Sequence, residues 1–572
     1  MERFRVWAPG ASEMEVVVDG ACHAMTGQPG GWWEARGEAG AGSRYTYRID
    51  GGPDRPDPRS HSQPEGVHGP SCVVDHSNFA WTDAGWRGLE WPSAVLYELH
   101  IGTFSPEGTF DGAIDKLGHV VDLGVSGVEV MPVAQFSGTR GWGYDGVNLF
   151  APHHSYGGPE GFKRFVDACH GAGLGVVLDV VYNHLGPEGN YLPEFGPYLT
   201  DHHATFWGGA VNFDGPGSAG VRRFVVDNAL MWLGDYHCDA LRLDAVHAIV
   251  DDSEVHILEE LSAAVEQLAS RTSRRLQLVA ESDLNDPVFV EPRGAGGHGL
   301  DAVWADEWHH ALHAVLTGET QGYYRDFGTL GPLAKALEQG WVHDGTWSDF
   351  RGRPHGKSPA GLEPSRLVVA TQNHDQVGNR ARGERSSALM DLGRLKAAAA
   401  LLLTSQFVPL LFAGEEWGAS TPFQYFTDHQ DPELAKAVSL GRRREFASFG
   451  WEPEQIPDPQ DPATFERSKL DWDEPRAGIH REMVQWYREL IALRRRAKPG
   501  VPRRIRCDQD KLWLAVESAE LALVVNLASE TVIVRLDSAE RILSASDPDA
   551  VVNGSSVSVP PAAVAVVSVL EV

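Results

Sequence analysis

The stretch GVVLDVVYNH (175–184) decides how this chain is read. It is a continuous run of β-branched and apolar residues of strand length, and it closes on Asp179, Tyr182, Asn183 and His184. Runs of this kind belong to parallel strands buried on both faces, which leave the core at their polar ends. Seven further runs share the pattern, at 95–101, 127–133, 240–246, 277–282, 302–306, 368–375 and 408–415. The stretches between them have helical periodicity. Phe162, Phe165, Val166 and Cys169 fall at i, i+3, i+4 and i+7, and Val221, Phe224, Val225, Ala229, Trp232 and Leu233 follow suit behind an N-cap expected at Ser218. Eight buried strands, each followed by a helix, predict an α/β fold, a (β/α)8 TIM barrel over residues 91–495. An open doubly wound sheet is the alternative, but no GxGxxG turn follows the first strand.

β-rich segments flank this region. FRVW (4–7), MEVVV (14–18), WWEA (32–35) and YTYRI (45–49) are short runs separated by Gly, Pro and Asp clusters, which predicts an N-terminal β-sandwich domain over 1–90. The Gly/Pro/Trp-rich passage 81–92 is its boundary. LWLAV (512–516), LALVVNL (521–527), TVIVRL (531–536) and the Val-rich end 557–569 predict a C-terminal all-β domain over 496–572, behind a linker RRRAKPGVPRR (494–504). The 572 residues thus divide into three domains rather than four.

The balance of 49 basic against 79 acidic residues, −30 overall, would repel a phosphate backbone or an anionic membrane over most of the surface, so neither nucleic acid nor membrane is expected as a partner. The five cysteines are scattered, odd in number and without a CxxC pair, which argues against a disulfide framework or zinc site and for a reducing, cytoplasmic setting. The N-terminal stretch has no basic segment leading into an apolar one, and no run approaches the 18 or so apolar residues of a membrane span. With 62 Gly and 35 Pro, turns and ordered loops must be many. Most of the 18 Trp belong to cores, and the remainder suit the flat faces of sugar rings.

In a barrel, chemistry sits at the C-terminal ends of the strands. Here those ends read Asp179-Val-Val-Tyr182-Asn183-His184, Arg242-Leu-Asp244-Ala-Val-His247, Ala280-Glu281-Ser282 and Asn373-His374-Asp375. A lone Asp is ordinarily a solvated loop acid, but Asp244, Glu281 and Asp375 converge on one rim from three strands. Arg242, two residues before Asp244, lies on the same face. Such a set suits a glycosidic bond: one carboxylate attacks the anomeric carbon, a protonated second serves the leaving oxygen, and a third steadies the oxocarbenium-like charge. Arg242 would hold the attacking carboxylate ionised. A metal site is the competing reading of an Asp/His cluster. No HxH or HExxH spacing supports it, and neither metal nor cofactor is expected.

At these residues the chain resembles the α-amylase superfamily of glycoside hydrolases, whose four short motifs appear in order as DVVYNH (179–184), ALRLDAVH (240–247), AES (280–282) and QNHD (372–375). The resemblance covers essentially the whole chain, including the three-domain plan. It implies Asp244 as nucleophile, Glu281 as general acid/base and Asp375 as transition-state stabiliser, with Arg242, His184 and His374 beside them, and a retaining double displacement.

More narrowly, RPDPRSHSQPEGVHGPS (55–71), YELHIGTFSPEGTF (97–110), VEVMPVAQFSGTRGWGYDGV (128–147) and VVYNHLGPEGNYL (180–192) resemble the maltooligosyltrehalose trehalohydrolases. That family implies hydrolysis of the α-1,4 bond next to a terminal α,α-trehalose unit, and a maltooligosyltrehalose synthase acting upstream. Tyr144 resembles the stacking tyrosine beside the reacting sugar. Trp207, in a long insertion after the third strand, is a candidate to cap the trehalose side. His309 and His310 face either the cleft or the core. DEWHH (306–310) departs from an expected DDFHH-type sequence. Asn183 stands where some superfamily members bind calcium, and a structural role is expected for it instead. The alternatives are a glucan branching or debranching enzyme and a non-catalytic amylase-like accessory protein. The presence of all three acids and Arg242 speaks against the second.

Overall fold

The computed structural model describes residues 2–37, 39–205, 208–447 and 455–569. Its centre is a closed eight-stranded parallel barrel: β1 (Leu96–Leu99), β2 (Gly127–Val130), β3 (Gly175–Val180), β4 (Ala240–Leu243), β5 (Gln277–Ala280), β6 (Ala302–Trp304), β7 (Leu367–Ala370) and β8 (Val408–Phe412), each paired to the next in sequence and β8 closing onto β1. All eight expected strands are present. Each stops a few residues short of the run read in the sequence, because the polar end of the run is already rim.

Pairing register fixes which side chains face the barrel interior. Residues opposite one another across neighbouring strands share a face, so Leu96, Val177, Ala240, Val279, Ala302, Val368, Val408 and Leu410 point inward together and form one apolar layer. Leu89 and Trp91 belong to the same cluster. Two residues further along, the inward positions become ionisable: Glu98, Asp179, Arg242 and Glu281, with Glu129 level with Glu98 across the β1–β2 pair. The barrel is a packed core at one end and a charged cup at the other.

Helices α1 (Leu117–Leu123), α2 (Gly158–Gly171), α3 (Ser218–Gly234), α4 (Ile257–Thr272), α5 (Asp306–Thr317) and α6 (Leu392–Leu403) lie between strands, and α7 (Gly478–Ala497) follows β8. The apolar positions read from the sequence on α2 and α3 are all buried. Ser218 is the first residue of α3 rather than its cap: Gly217, with φ +83°, precedes the helix and no side chain caps it. One expectation fails. No α-helix follows β5. The segment to β6 contains only two 3-10 turns, Pro287–Phe289 and Arg293–Ala295. Pro287, Pro292, Gly294, Gly296 and Gly297 explain it, since proline removes helix donors and glycine costs the most entropy to order.

The first 75 residues form two small antiparallel sheets. One contains Glu2–Trp7, Trp32–Gly37 and Thr26–Gln28; the other is built on Met14–Val18 and Arg44–Ile49. Phe4, Val6, Val16, Val18, Tyr45 and Tyr47 are buried between them, with the Phe4 and Tyr45 ring centroids 5.0 Å apart. This unit leans on the β3–β4 region. Trp7 lies against α3 because Gly220 has no Cβ, which would sit 2.2 Å from the indole. Arg55 pairs with Glu194 at 2.8 Å, Arg59 with Asp227 at 2.8 Å, and His68 Nδ1 lies 2.6 Å from the Tyr191 hydroxyl.

At the other end of the chain, a five-stranded and a three-stranded antiparallel sheet enclose a separate apolar cluster. The expected linker from Arg494 is helical to Ala497. Arg494 is buried, and its guanidinium donates to the carbonyl oxygens of Leu403, Ser405 and Phe407 between α6 and β8. A run of three arginines read as the start of a linker thus contains a structural clamp.

Candidate active site

The cup at the C-terminal ends of the strands brings together Tyr144, His184, Arg242, Asp244, Glu281, His374 and Asp375. Trp207 lies outside the described residues. Arg242 is the centre, with no solvent exposure. Its Nη1 donates to Asp244 Oδ1 at 2.7 Å and to both oxygens of Asp179 at 3.0 and 3.1 Å. Its plane lies over Trp304, 4.4 Å from the ring centroid, and its Nη2 is 3.8 Å from Glu281 Oε2. The surrounding acids hold it charged despite its burial.

Asp244 accepts a second bond at 2.6 Å from the Asn183 amide, which also reaches the Asp244 backbone oxygen. Each of its two oxygens therefore accepts a hydrogen bond, one from the guanidinium and one from the amide. Asn183 has the structural role expected of it. The chain turns sharply after Asp244: Ala245 has φ +40°, uncommon for a residue with a Cβ. That turn aims the Ala245 N–H at Glu281 Oε2, 2.5 Å away. Glu281 itself is pushed above the usual carboxylate range by burial, with Asp244 and Asp375 adding to the effect and Arg242 opposing it.

His374 and Asp375 open a short helix after β7, where Asn373 forms a capping box with Gln376. Burial opposes charge on His374, but Asp375 and Glu98 outweigh it and raise the ring to about 9. The contacts agree. Nδ1 is 2.5 Å from Glu98 Oε1 and Nε2 is 2.7 Å from the Tyr144 hydroxyl, which donates its own proton to Asp179 Oδ2 at 2.7 Å. Both ring nitrogens act as donors, as in an imidazolium. Tyr144 stacks on this ring, with centroids 5.3 Å apart. Asp375 is the most open of the three acids, its side chain 43% exposed. His184 Nε2 lies 2.9 Å from the Tyr144 backbone oxygen and so fixes the loop that carries the tyrosine.

Sequence reasoning gave no role to three members of this arrangement. Glu98, buried in β1, holds both the ring and the backbone N–H of His374. Asp179, buried and raised to about 7 by desolvation that Arg242 only partly offsets, links Arg242 to Tyr144. Trp304 carries the guanidinium. A charged residue inside an otherwise apolar strand was the available signal for Glu98 and Asp179. His309 proves to be a packing residue of α5, buried, with Nδ1 2.7 Å from the Thr371 oxygen.

A rim of buried carboxyls around one arginine on a (β/α)8 barrel defines a glycoside hydrolase of the α-amylase class, and residues 62–207 match the alpha-amylase catalytic-domain family. Over nearly its full length the chain is similar to the malto-oligosyltrehalose trehalohydrolases of Arthrobacter ramosus (53% identical; 92% of each chain) and Rhizobium sp. strain M-11 (49%; 99% of this chain and 97% of that one). It belongs to the malto-oligosyltrehalose trehalohydrolase family. The crystal structure of a putative alpha amylase from Salmonella typhimurium superposes with a TM-score of 0.91 at 39% identity, covering 99% and 97% of the two chains. A Paenibacillus barengoltzii pullulanase, 20% identical with a TM-score of 0.70, shares the fold.

Proposed function

We propose that this enzyme hydrolyses the α-1,4-glucosidic bond next to the terminal α,α-trehalose unit of maltooligosyltrehalose, releasing trehalose and a shortened maltooligosaccharide with retention at the anomeric carbon. Asp244 attacks the anomeric carbon while Glu281 gives its proton to the departing trehalose oxygen, so the C–O bond breaks as a glycosyl ester forms. Water then attacks the ester. Glu281 takes its proton, the ester bond breaks, and Asp244 returns as a carboxylate. Asp375 faces the positive charge that develops at the ring. Tyr144, carried on the imidazolium of His374, forms an apolar wall for the sugar, and Trp207 is the candidate reader of the trehalose side.

The observation that carries this reading is the contrast between two neighbouring acids. Asp244 accepts hydrogen bonds from Arg242 and Asn183, whereas Glu281 lies 3.8 Å from the Arg242 Nη2 without a hydrogen bond to it and is raised by burial. A carboxylate oriented by a guanidinium and an amide suits the nucleophile, and a carboxyl raised by burial suits the acid. A glucan branching enzyme from Pseudoalteromonas atlantica is 33% identical, but over only 59% of this chain. The trehalose end implies a synthase acting upstream, and five unpaired thiols suit a cytoplasmic setting. Incubation with maltotriosyltrehalose and, separately, with maltopentaose tests the proposal. Free trehalose from the first and little change in the second is expected; rapid attack on the plain glucan, or new α-1,6 branches, would overturn it.

A further inference from the structure

Asp306 is the residue that the catalytic scheme leaves unused. It follows β6 as the first residue of α5, two positions after Trp304, and so stands on the same rim as the three acids. Its neighbour Glu307 shows what a buried acid ordinarily finds in this fold: His343 at 2.7 Å and two backbone N–H groups at 2.8 Å. Asp306 has none of these. One oxygen accepts a long 3.3 Å bond from the Gln376 amide. No hydrogen bond to the other oxygen, and no ion pair to either, is formed among the described residues.

The charged and titratable groups that face Asp306 are mostly acids: Glu281 and Asp283 after β5 and Asp375 after β7, with Arg242 on β4 the opposing cation and the Tyr323 phenol on the segment after α5. A half-buried carboxyl with no ion pair of its own and with more carboxyls than cations facing it favours its protonated form. Burial first, then Glu281 and Asp375, raise Asp306 to about 8.

We infer that Asp306 is a fourth working carboxyl of the cleft, a neutral acid whose O–H donates a hydrogen bond to a hydroxyl of the bound sugar between Glu281 and Asp375. This deepens the proposed function and rests on it. As a neutral donor it can bind an uncharged substrate without adding a third anion beside the acid that must give up its proton. It also gives a use to the Nε2 of Gln376, whose Oε1 closes the capping box: the Nε2 fixes one Asp306 oxygen and leaves the other, with its proton, for the ligand.

The test compares wild type, Asp306→Asn and Asp306→Ala by the pH dependence of kcat/KM on maltotriosyltrehalose, after thermal melts confirm folding. Loss of Glu281's proton gives the wild type an alkaline limb with a one-proton dependence. Ionisation of Asp306 should steepen it to two protons above about pH 8. In Asp306→Asn the amide still donates but cannot ionise, so the limb stays at one proton throughout. At pH 6 Asp306→Ala should cost about 10–100-fold and the amide variant several-fold less. Equal losses in the two variants, or a steep limb that persists in Asp306→Asn, would overturn the assignment. Infrared difference spectra give a readout independent of turnover: a carboxylic-acid carbonyl band lost between pH 7 and pH 9 in wild type and missing in Asp306→Asn. Absence of that difference also overturns it. Failure of wild type to release trehalose counts against the proposed function alone.

Discussion

Asp244 is held by donors from two neighbouring strand ends, Arg242 on β4 and Asn183 after β3, and its geometry cannot be separated from theirs. Asp244→Ala should reduce trehalose release by about three orders of magnitude or more, because groups acting as a unit fail together; near-normal release would refute the nucleophile assignment. Glu98 invites a finer test. A group whose folded pKa is raised lends stability below its unfolded pKa and loses it as pH rises through the folded value. For His374 that stability is full below about 6.5 and gone above about 9. Glu98→Gln should therefore destabilise by about 1.5–3 kcal/mol in acid and neutral urea titrations, and by little above pH 9. A pH-independent loss would show that Glu98 acts by packing alone. The three acids, Arg242 and both histidines were legible because each ends an apolar run. Glu98 and Asp306 were not, because what sets their behaviour is the company of residues from other strands.

At the scale of elements, all eight barrel strands could be read from short apolar runs closing on polar residues. The segment after β5 was misread because strand–helix alternation outweighed its two prolines and four glycines. Arg494 was misread for a different reason: its neighbours Arg495 and Arg496 and the following Pro and Gly have the composition of a linker, and composition carries no information about which arginine points inward. Arg494→Ala leaves three carbonyls between α6 and β8 without their donor. We expect a loss of about 3 kcal/mol in urea unfolding, against less than about 0.5 kcal/mol for the neighbouring exposed Arg496→Ala. Equal effects would return the segment to the status of a linker.

At the scale of the whole molecule, a surface of −30 serves a substrate that has no charge. Electrostatic steering needs charge on both partners, so kcat/KM should change by less than about twofold between roughly 50 and 500 mM NaCl. A steep decline would mean that a charged group takes part in capture. Of the three acids on the rim, Asp244 and Glu281 are largely shielded and Asp375 is open, and the exposed remainder of the 79 acidic residues is a solvated coat. The N-terminal sheets do more than precede the barrel: Arg55, Arg59 and His68 grip Glu194, Asp227 and Tyr191, all in the stretch between β3 and β4 to which Trp207 belongs in sequence. In evolutionary and engineering terms these two stretches form one heritable unit. A chimaera that takes residues 1–90 alone from a distant relative separates lock from key, whereas one that also takes 185–230 carries both halves, so recombination within the family has a natural seam that the domain boundaries do not mark.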